Sequence, residues 1–399
     1  MKSRFAKVIT FIDRVSMVLS ILMLTGGEQF LKILAVFAYP TTLLFLFIYW
    51  KKAIWTLIQE KLFWLYLGLI ILSIFWSANI GNTLYSTLKL IGTLLIGFSL
   101  AVRYQPKNQL EILAWAFGIS AFLSFAYCLL IPHQGIMMEG DVQGSWRGIY
   151  NHKNTLARMM TISTMVFFLQ AIEVSRYRLL FLFFCACSFV LVIFSQSKTS
   201  LVILLTLLAI FPVYRMLRWS YSWLIPFFSV TILTIGISTL LLVSNLETIV
   251  TALGRDITLT GRVPLWELVI SEIYKRPWLG YGYQGFWLGW EGESKYIWKY
   301  IAWEPPHSHN GFLEILLAFG FIGLVVSTLT FISIFLRSLI CIRTTKSAFG
   351  FWPLWYLTLL FLINITESQM SGFSIYWALS IAVAISTHRK ILNQYIPIE

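Results

Sequence analysis

The chain has 399 residues, of which 58% are hydrophobic and 12% charged; soluble proteins hold roughly 45–50% and about 25%. That balance excludes a soluble enzyme with at most one anchor, and the continuous apolar runs exclude a β-barrel. The formal net charge of +13 would suggest nucleic acid in a soluble protein, so the placement of the charges has to decide.

A membrane-spanning helix takes about 20 mostly apolar residues. In chain order twelve segments qualify: 13–27, 33–50, 62–77, 84–102, 110–131, 155–173, 178–195, 199–215, 222–243, 309–336, 349–365 and 372–388. The first is short and leads straight into the second without a small-residue cleavage site, so it reads as a span and not as a cleavable signal. With the N-terminus in the cytoplasm, the cytoplasmic segments hold 18 of the 30 basic residues and 5 of the 17 acidic ones. The outer side is then neutral, with 12 of each sign. The whole positive excess follows the positive-inside rule, so nucleic acid is not an expected partner. The expectation is a single all-α integral membrane domain over 1–399, multi-pass, in the lipid bilayer, with both termini cytoplasmic.

Two outer segments exceed simple turns: 132–154, and 244–308 between spans nine and ten. The second reads as an amphipathic helix over 262–275, a turn at Pro277, Gly280 and Gly282, and an aromatic stretch. Its tryptophans (Trp266, Trp278, Trp287, Trp290, Trp298, Trp303) argue against disorder. They fit an interfacial belt or a sugar-stacking platform. The four cysteines lie in or beside apolar runs and lack zinc-type spacing or a disulfide framework.

Polar groups gather at the outer face in segments far apart in sequence. "GSWRGIYNHKNTLAR" carries Arg147, His152, Lys153 and Asn154; "FSQSKTS" carries Lys198; "LGRDITLTGR" carries Arg255, Asp256 and Arg262; "HSHN" carries His307, His309 and Asn310; and Glu367 sits on the last outer turn. Plainer readings exist for each. Interfacial cations contact lipid headgroups or snorkel, as is expected of Lys89 in span four, although a charge inside a span is also a functional suspect. Glu367 could cap a helix or pair a neighbouring cation, His152 could be a loop residue, and Asp256 could order its own loop or an arginine. Convergence of cations on one face favours a shared site. Arginine forks match phosphate oxygens, and a neutral histidine can take a proton from an attacking hydroxyl. No Asp-x-Asp pair or cluster of metal-ligand spacing appears, so arginine and lysine, not a metal ion, are expected to neutralise a phosphate. No Walker A or GxGxxG motif occurs, and no cofactor is expected.

On "WRGIYNHKNTLA", "SQSKTS", "GRDITLTGR…W", the Pro-Trp-Leu-Gly-Tyr-Gly-Tyr stretch and "HSHNGFLEILLAFGFIGL", in that order, the chain resembles the O-antigen ligase and polymerase superfamily, closest to its exopolysaccharide polymerase branch. The likeness is clearest over about 130–330 and topological elsewhere. It implies a polytopic, GT-C-like helical glycosyltransferase of the bacterial inner membrane, with a periplasmic site. It further implies metal-independent, inverting transfer from an undecaprenyl-diphosphate-linked glycan to a glycan or lipid-linked acceptor. A flippase and a chain-length regulator would be partners of a polymerase. The family's essential arginines fall on Arg147 and Arg262 and its histidine on His309; Arg255, Lys198 and His307 fit the exopolysaccharide-like pattern. Arg147 and Arg262, helped by Arg255, Lys198 and Lys153, are expected to hold the diphosphate. His309 is expected to activate or position the acceptor hydroxyl. His307, Asn310, Asp256, Asn154 and Glu367 would support the site, and Glu314 would either orient it or serve helix packing. A polymerase is favoured over a ligase. A transporter would instead place polar groups at mid-membrane.

Overall fold

A computed structural model describes residues 2–26, 33–220, 222–223, 262–301, 303–368 and 374–395, the side chains of 2–8, 141 and 390–395 excepted. The expected span 222–243, together with Arg255 and Asp256, lies outside the described residues. Among the described residues every element is helical, and β pairing is limited to one isolated bridge, Ile136 to Trp146.

The longer helices are α1 (Lys2–Leu24), α2 (Ala35–Ile48), α3 (Trp50–Gln59), α4 (Lys61–Leu72), α5 (Ile80–Arg103), α6 (Pro106–Leu130) and α7 (Lys153–Glu173). They continue as α8 (Arg178–Phe194), α9 (Lys198–Met216), α10 (Arg262–Lys275), α11 (Lys295–Tyr300), α12 (Gly311–Thr344), α13 (Trp352–Thr366) and α14 (Ile375–Tyr395). Seven helical segments among the described residues are long and apolar enough to cross a membrane, and eight if α2 and α3, bent by 91°, form one broken span. The expected count of twelve is therefore not reached among the described residues. The segment Lys61–Trp76 is apolar but short, and α1 carries Asp13 and Arg14 in its middle.

Burial separates a centre from a lipid-facing shell. In α7, and in α13 with the turn before it, 78% of the apolar window is buried, against 17% for α8. Leu179 and Phe183 of α8 are 82% and 61% exposed, as lipid contact requires. Since lipid is as apolar as leucine, close packing and hydroxyl pairs hold such helices together. Ser163 on α7 meets Ser188 on α8 at 2.7 Å. On α5, a Cβ at Gly97 would lie 2.2 Å from the Ala378 carbonyl oxygen of α14, so only glycine allows that crossing.

Helix α12 departs from a simple span. It is interrupted at Gly320, whose φ of 61° and ψ of −160° are open only to glycine. The Pro277–Gly282 turn fills the break. Tyr281 and Gly282 donate to the carbonyls of Leu317 and Ala318, and Phe321 donates to the carbonyl of Pro277. Backbone groups freed by the break are thereby satisfied inside protein, the condition for irregular backbone at membrane depth. The same turn anchors the outer layer. Leu265, Val269, Ile273, Tyr281, Phe286 and Ile297 form a small core around Leu317. Part of the expected long loop is thus a folded cap on the bundle, with α10 over 262–275 as the periodicity predicts.

Candidate active site

The "HSHN" segment is built around the N-terminus of α12. Asn310 is the N-cap: its Oδ1 accepts the Phe312 and Leu313 backbone N–H groups at 3.0 and 3.1 Å. Such a cap satisfies donors that the first turn leaves unpaired. Buried Glu314 reaches back to accept the Ser308 N–H at 3.0 Å, and Trp266 of α10 donates to the Ser308 carbonyl at 3.0 Å. Glu314 therefore orients the segment, the first of its two expected readings. Gly311 has no room for a side chain, since a Cβ would sit 2.0 Å from Asn364 Oδ1 on α13.

His309 adopts a left-handed φ of 52°, uncommon for a side-chain-bearing residue. Its backbone N–H donates to His307 Nδ1 at 3.1 Å. That bond requires a lone pair on Nδ1, so His307 is neutral with its proton on Nε2. Burial first, then the neighbouring His309, pushes the His307 imidazole down to about 4. His307 thus props the His309 backbone.

Glu367, the residue after α13, is where the segments meet. Its carboxylate lies 3.4 Å from His309 Nδ1, 3.4 Å from Arg262, 3.7 Å from Arg158 and 3.9 Å from His307 Nε2. Burial alone would raise this carboxyl; the facing His309 and the charge of Arg158 outweigh it and hold it at about 2. Two guanidinium groups and two imidazoles therefore share one ionised carboxylate. Both ring nitrogens of His309 are enclosed, and neither makes a well-formed hydrogen bond among the described residues. Buried polar groups are nearly always bonded, so this ring is set up for a partner.

A polar pocket of about 40 Å³ opens beside Glu367, lined by Asn154 and Arg158 of α7, Ser200 of α9, and Arg262 of α10. His152 caps α7, its Nδ1 accepting from the Asn154 N–H at 3.1 Å. Burial, then the charges of Arg158 and Lys153, push the His152 imidazole down. Lys153 begins α7, touching Ser145 at 3.4 Å, and Lys198 begins α9. Helices α7, α9, α10 and α12 all start at this end, and their exposed N–H groups add positive potential to the cations.

The structure thus brings together Arg262, His307, His309, Asn310, Asn154 and Glu367. Arg147 joins the cluster by no contact among the described residues. Its Nε donates to the Gln134 carbonyl at 2.7 Å, folding it back onto the 132–154 loop. The loop itself is clasped to the end of α8 by Trp146, stacked on Phe194 at 4.5 Å. Arg158 was overlooked by sequence reasoning although it ends the "NTLAR" run. The available signal was its spacing of four from Asn154, which puts both on one helix face. The tryptophans divide: Trp266 and Trp298 donate to the Ser308 and Pro305 carbonyls and so fold the cap, while Trp303 lies 5.5 Å from the His309 ring.

The ligand atoms of His307, His309 and Glu367 also lie within 4.8 Å of one another, close enough to share one ion, although no sequence spacing announces it. Arg158 and Arg262 already neutralise that carboxylate. A dication would enter beside two fixed positive charges, which disfavours it.

Apolar helices around one polar end define a multi-pass membrane protein. Residues 183–328 match the family described as O-antigen ligase. A stretch of 98 residues is 35% identical to the exopolysaccharide production protein ExoQ of Rhizobium meliloti (strain 1021), covering 24% of this chain and 22% of that protein. Over these stretches the chain is similar to O-antigen ligase and exopolysaccharide production proteins, and it spans about a fifth of the length of that relative. The family match includes Arg262, His307 and His309; Arg158 and Glu367 fall outside it, yet they complete the cluster.

Proposed function

We propose that this protein is a glycosyltransferase of the bacterial inner membrane that polymerises undecaprenyl-diphosphate-linked repeat units on the periplasmic side. The observation that carries the reading is the unbonded His309 ring set among Arg158, Arg262 and Glu367. An acceptor hydroxyl attacks the anomeric carbon, its oxygen forming the new glycosidic bond. The hydroxyl attacks from the face opposite the diphosphate, whose oxygen leaves with the bond's electron pair, so the single displacement inverts the anomeric centre. With Nδ1–H turned toward Glu367, His309 Nε2 has a lone pair to accept the hydroxyl proton, and bonds that are loose without substrate tighten when it binds. Arg262 and Arg158 stabilise the charge that builds on the leaving diphosphate. Lys198 and Lys153 extend the cationic rim along its path, and Arg147 would have to leave Gln134 to join them. Glu367 holds the arginines in place until the diphosphate takes over part of their pairing. No metal is needed in this scheme, because guanidinium groups supply the positive charge.

A ligase, transferring glycan to lipid A-core or a protein, is favoured by the description of the matched family. The exopolysaccharide relative and the "HKN" and "GRDITLTGR" segments favour a polymerase. The test is reconstitution with a lipid-diphosphate oligosaccharide. Growth of the donor into longer lipid-linked chains supports polymerisation. Transfer only to added lipid A-core would assign a ligase, and no turnover of either kind would refute glycosyl transfer.

A further inference from the structure

Helix α12, 34 residues long, starts at the His309 cluster and ends at Thr344. Near that far end lies a second recess, of about 750 Å³, lined by Lys52 and Trp55 of α3, Lys107 of α6, Phe349 and Pro353 before and in α13, and Arg389 of α14. This is within the size range of ligand sites. No acidic side chain lines it among the described residues. Arg389 Nη2 is enclosed and has no hydrogen-bond partner among the described residues, while Nη1 reaches the Ala101 carbonyl only at 3.5 Å. Lys52 lies close enough to Arg389 for their charges to repel. Glu60, at the same end, is already committed to Arg337 and His388. An enclosed cation that has no counter-ion among the described residues is costly, and an anion in the recess would remove that cost. Trp55, Phe349 and Pro353 make much of the wall apolar, so the anion that fits carries hydrocarbon.

We propose that this recess binds the phosphodiester headgroup of an anionic phospholipid. Arg389 and Lys52 hold the phosphate, Lys107 stands at the mouth, and an acyl chain lies along Trp55 and Phe349. A free phosphate would share the headgroup's charge but not the apolar contact, and the experiment separates the two. The delipidated full chain in detergent is loaded with fluorescent phosphatidylglycerol, which is then displaced by phosphatidylglycerol, phosphatidylcholine or inorganic phosphate. Phosphatidylglycerol is expected to displace at a concentration roughly tenfold lower than phosphatidylcholine, with millimolar inorganic phosphate without effect. The double variant Lys52→Gln/Arg389→Gln is expected to bind phosphatidylglycerol roughly tenfold more weakly. The exposed pair Lys52→Glu/Lys107→Glu gives the same reading should Arg389 prove necessary for folding. Equal displacement by both lipids, or unchanged affinity in both double variants, overturns the proposal. Displacement by inorganic phosphate as effective as by phosphatidylglycerol overturns the lipid assignment in favour of a free anion.

Discussion

Two clusters of buried charge, one at each end of the bundle, are paired in opposite ways. At the end of α12 near Thr344, Arg337 meets Glu60 through two contacts, at 2.5 and 3.0 Å, with His388 at 3.1 Å from the same carboxylate. Nearby, Arg103 is paired with Asp13, whose other oxygen accepts from the Tyr104 hydroxyl at 2.6 Å. Those bonds join α1 to α5 and α12 to α14 and to the start of α4, and each charge has a short, directional partner. At the His309 end, a single carboxylate is divided among four positive or protonatable groups, all at 3.4 Å or more. Short, directional pairing fixes helices. Long, shared pairing around an unbonded imidazole leaves bonding capacity for a substrate.

If that contrast is functional, substitutions at the two ends should fail differently. The largest effect is expected from His309→Ala, a loss of roughly 10²–10⁴-fold in turnover for a group that moves a proton. Arg262→Ala should cost roughly 10²–10³-fold for a lost donor to developing charge. Both variants should keep the thermal midpoint within a few degrees. Turnover of reconstituted protein, with a melting curve on the same sample, measures both quantities. Full activity of either variant would remove that residue from the chemistry.

Arg337→Ala should do the reverse. Its partner Glu60 is left enclosed with only His388, a loss expected to cost about 3–5 kcal/mol of stability. The fraction that stays folded should turn over at the normal rate. A rate defect at unchanged stability would mean that the two ends are coupled.

A smaller effect is expected from pH. His307 is pushed down to about 4 from its ordinary 6.5. The unfolded chain therefore takes up the proton first as pH falls. Stability is fully present above about 6.5 and declines toward 4. Glu367, held at about 2, extends the loss from the ordinary carboxylate range downward, since its ionised form is the one the fold favours. Melting midpoints measured from pH 7 to 4 should fall in wild type and flatten in His307→Gln. An unchanged slope would assign the titration to another group.

How much of this was legible in the sequence differs between the ends for physical reasons. Apolar run length located α5 to α9 and α13 within a few residues, because a membrane imposes one period and one length, while α12 runs eight residues past its expected end. It could not show the break at Gly320, which depends on a turn some forty residues earlier donating to Leu317 and Ala318. Cations stood out against an apolar background, so Arg262, Lys198 and the "HSHN" group were readable as a face. Their partners were not: Glu367 looked like one supporting acid on a turn, and its hub position exists only because α13 ends beside the starts of α7, α10 and α12. Arg158 sat one helical turn inside an apolar run, where a snorkelling cation looks the same as a catalytic one. Arg147 shows the converse. Its type suited the site, but its side chain bonds to Gln134.

The smallest expected effect is none, and it tests the hub most sharply. His307, His309 and Glu367 present their ligand atoms within 4.8 Å of one another, an arrangement that could hold a metal ion if judged by distance alone. Charge argues the other way. The carboxylate already faces Arg158 and Arg262, and His307 Nδ1 is occupied by the His309 N–H, leaving only Nε2 to coordinate. Binding a dication would require the arginines to withdraw, and they are the groups expected to meet the diphosphate. Turnover should therefore be unchanged after incubation with a strong chelator and removal of the chelate. Loss of activity that returns with one added metal would recast the cluster as a metal centre, with the arginines as its competitors.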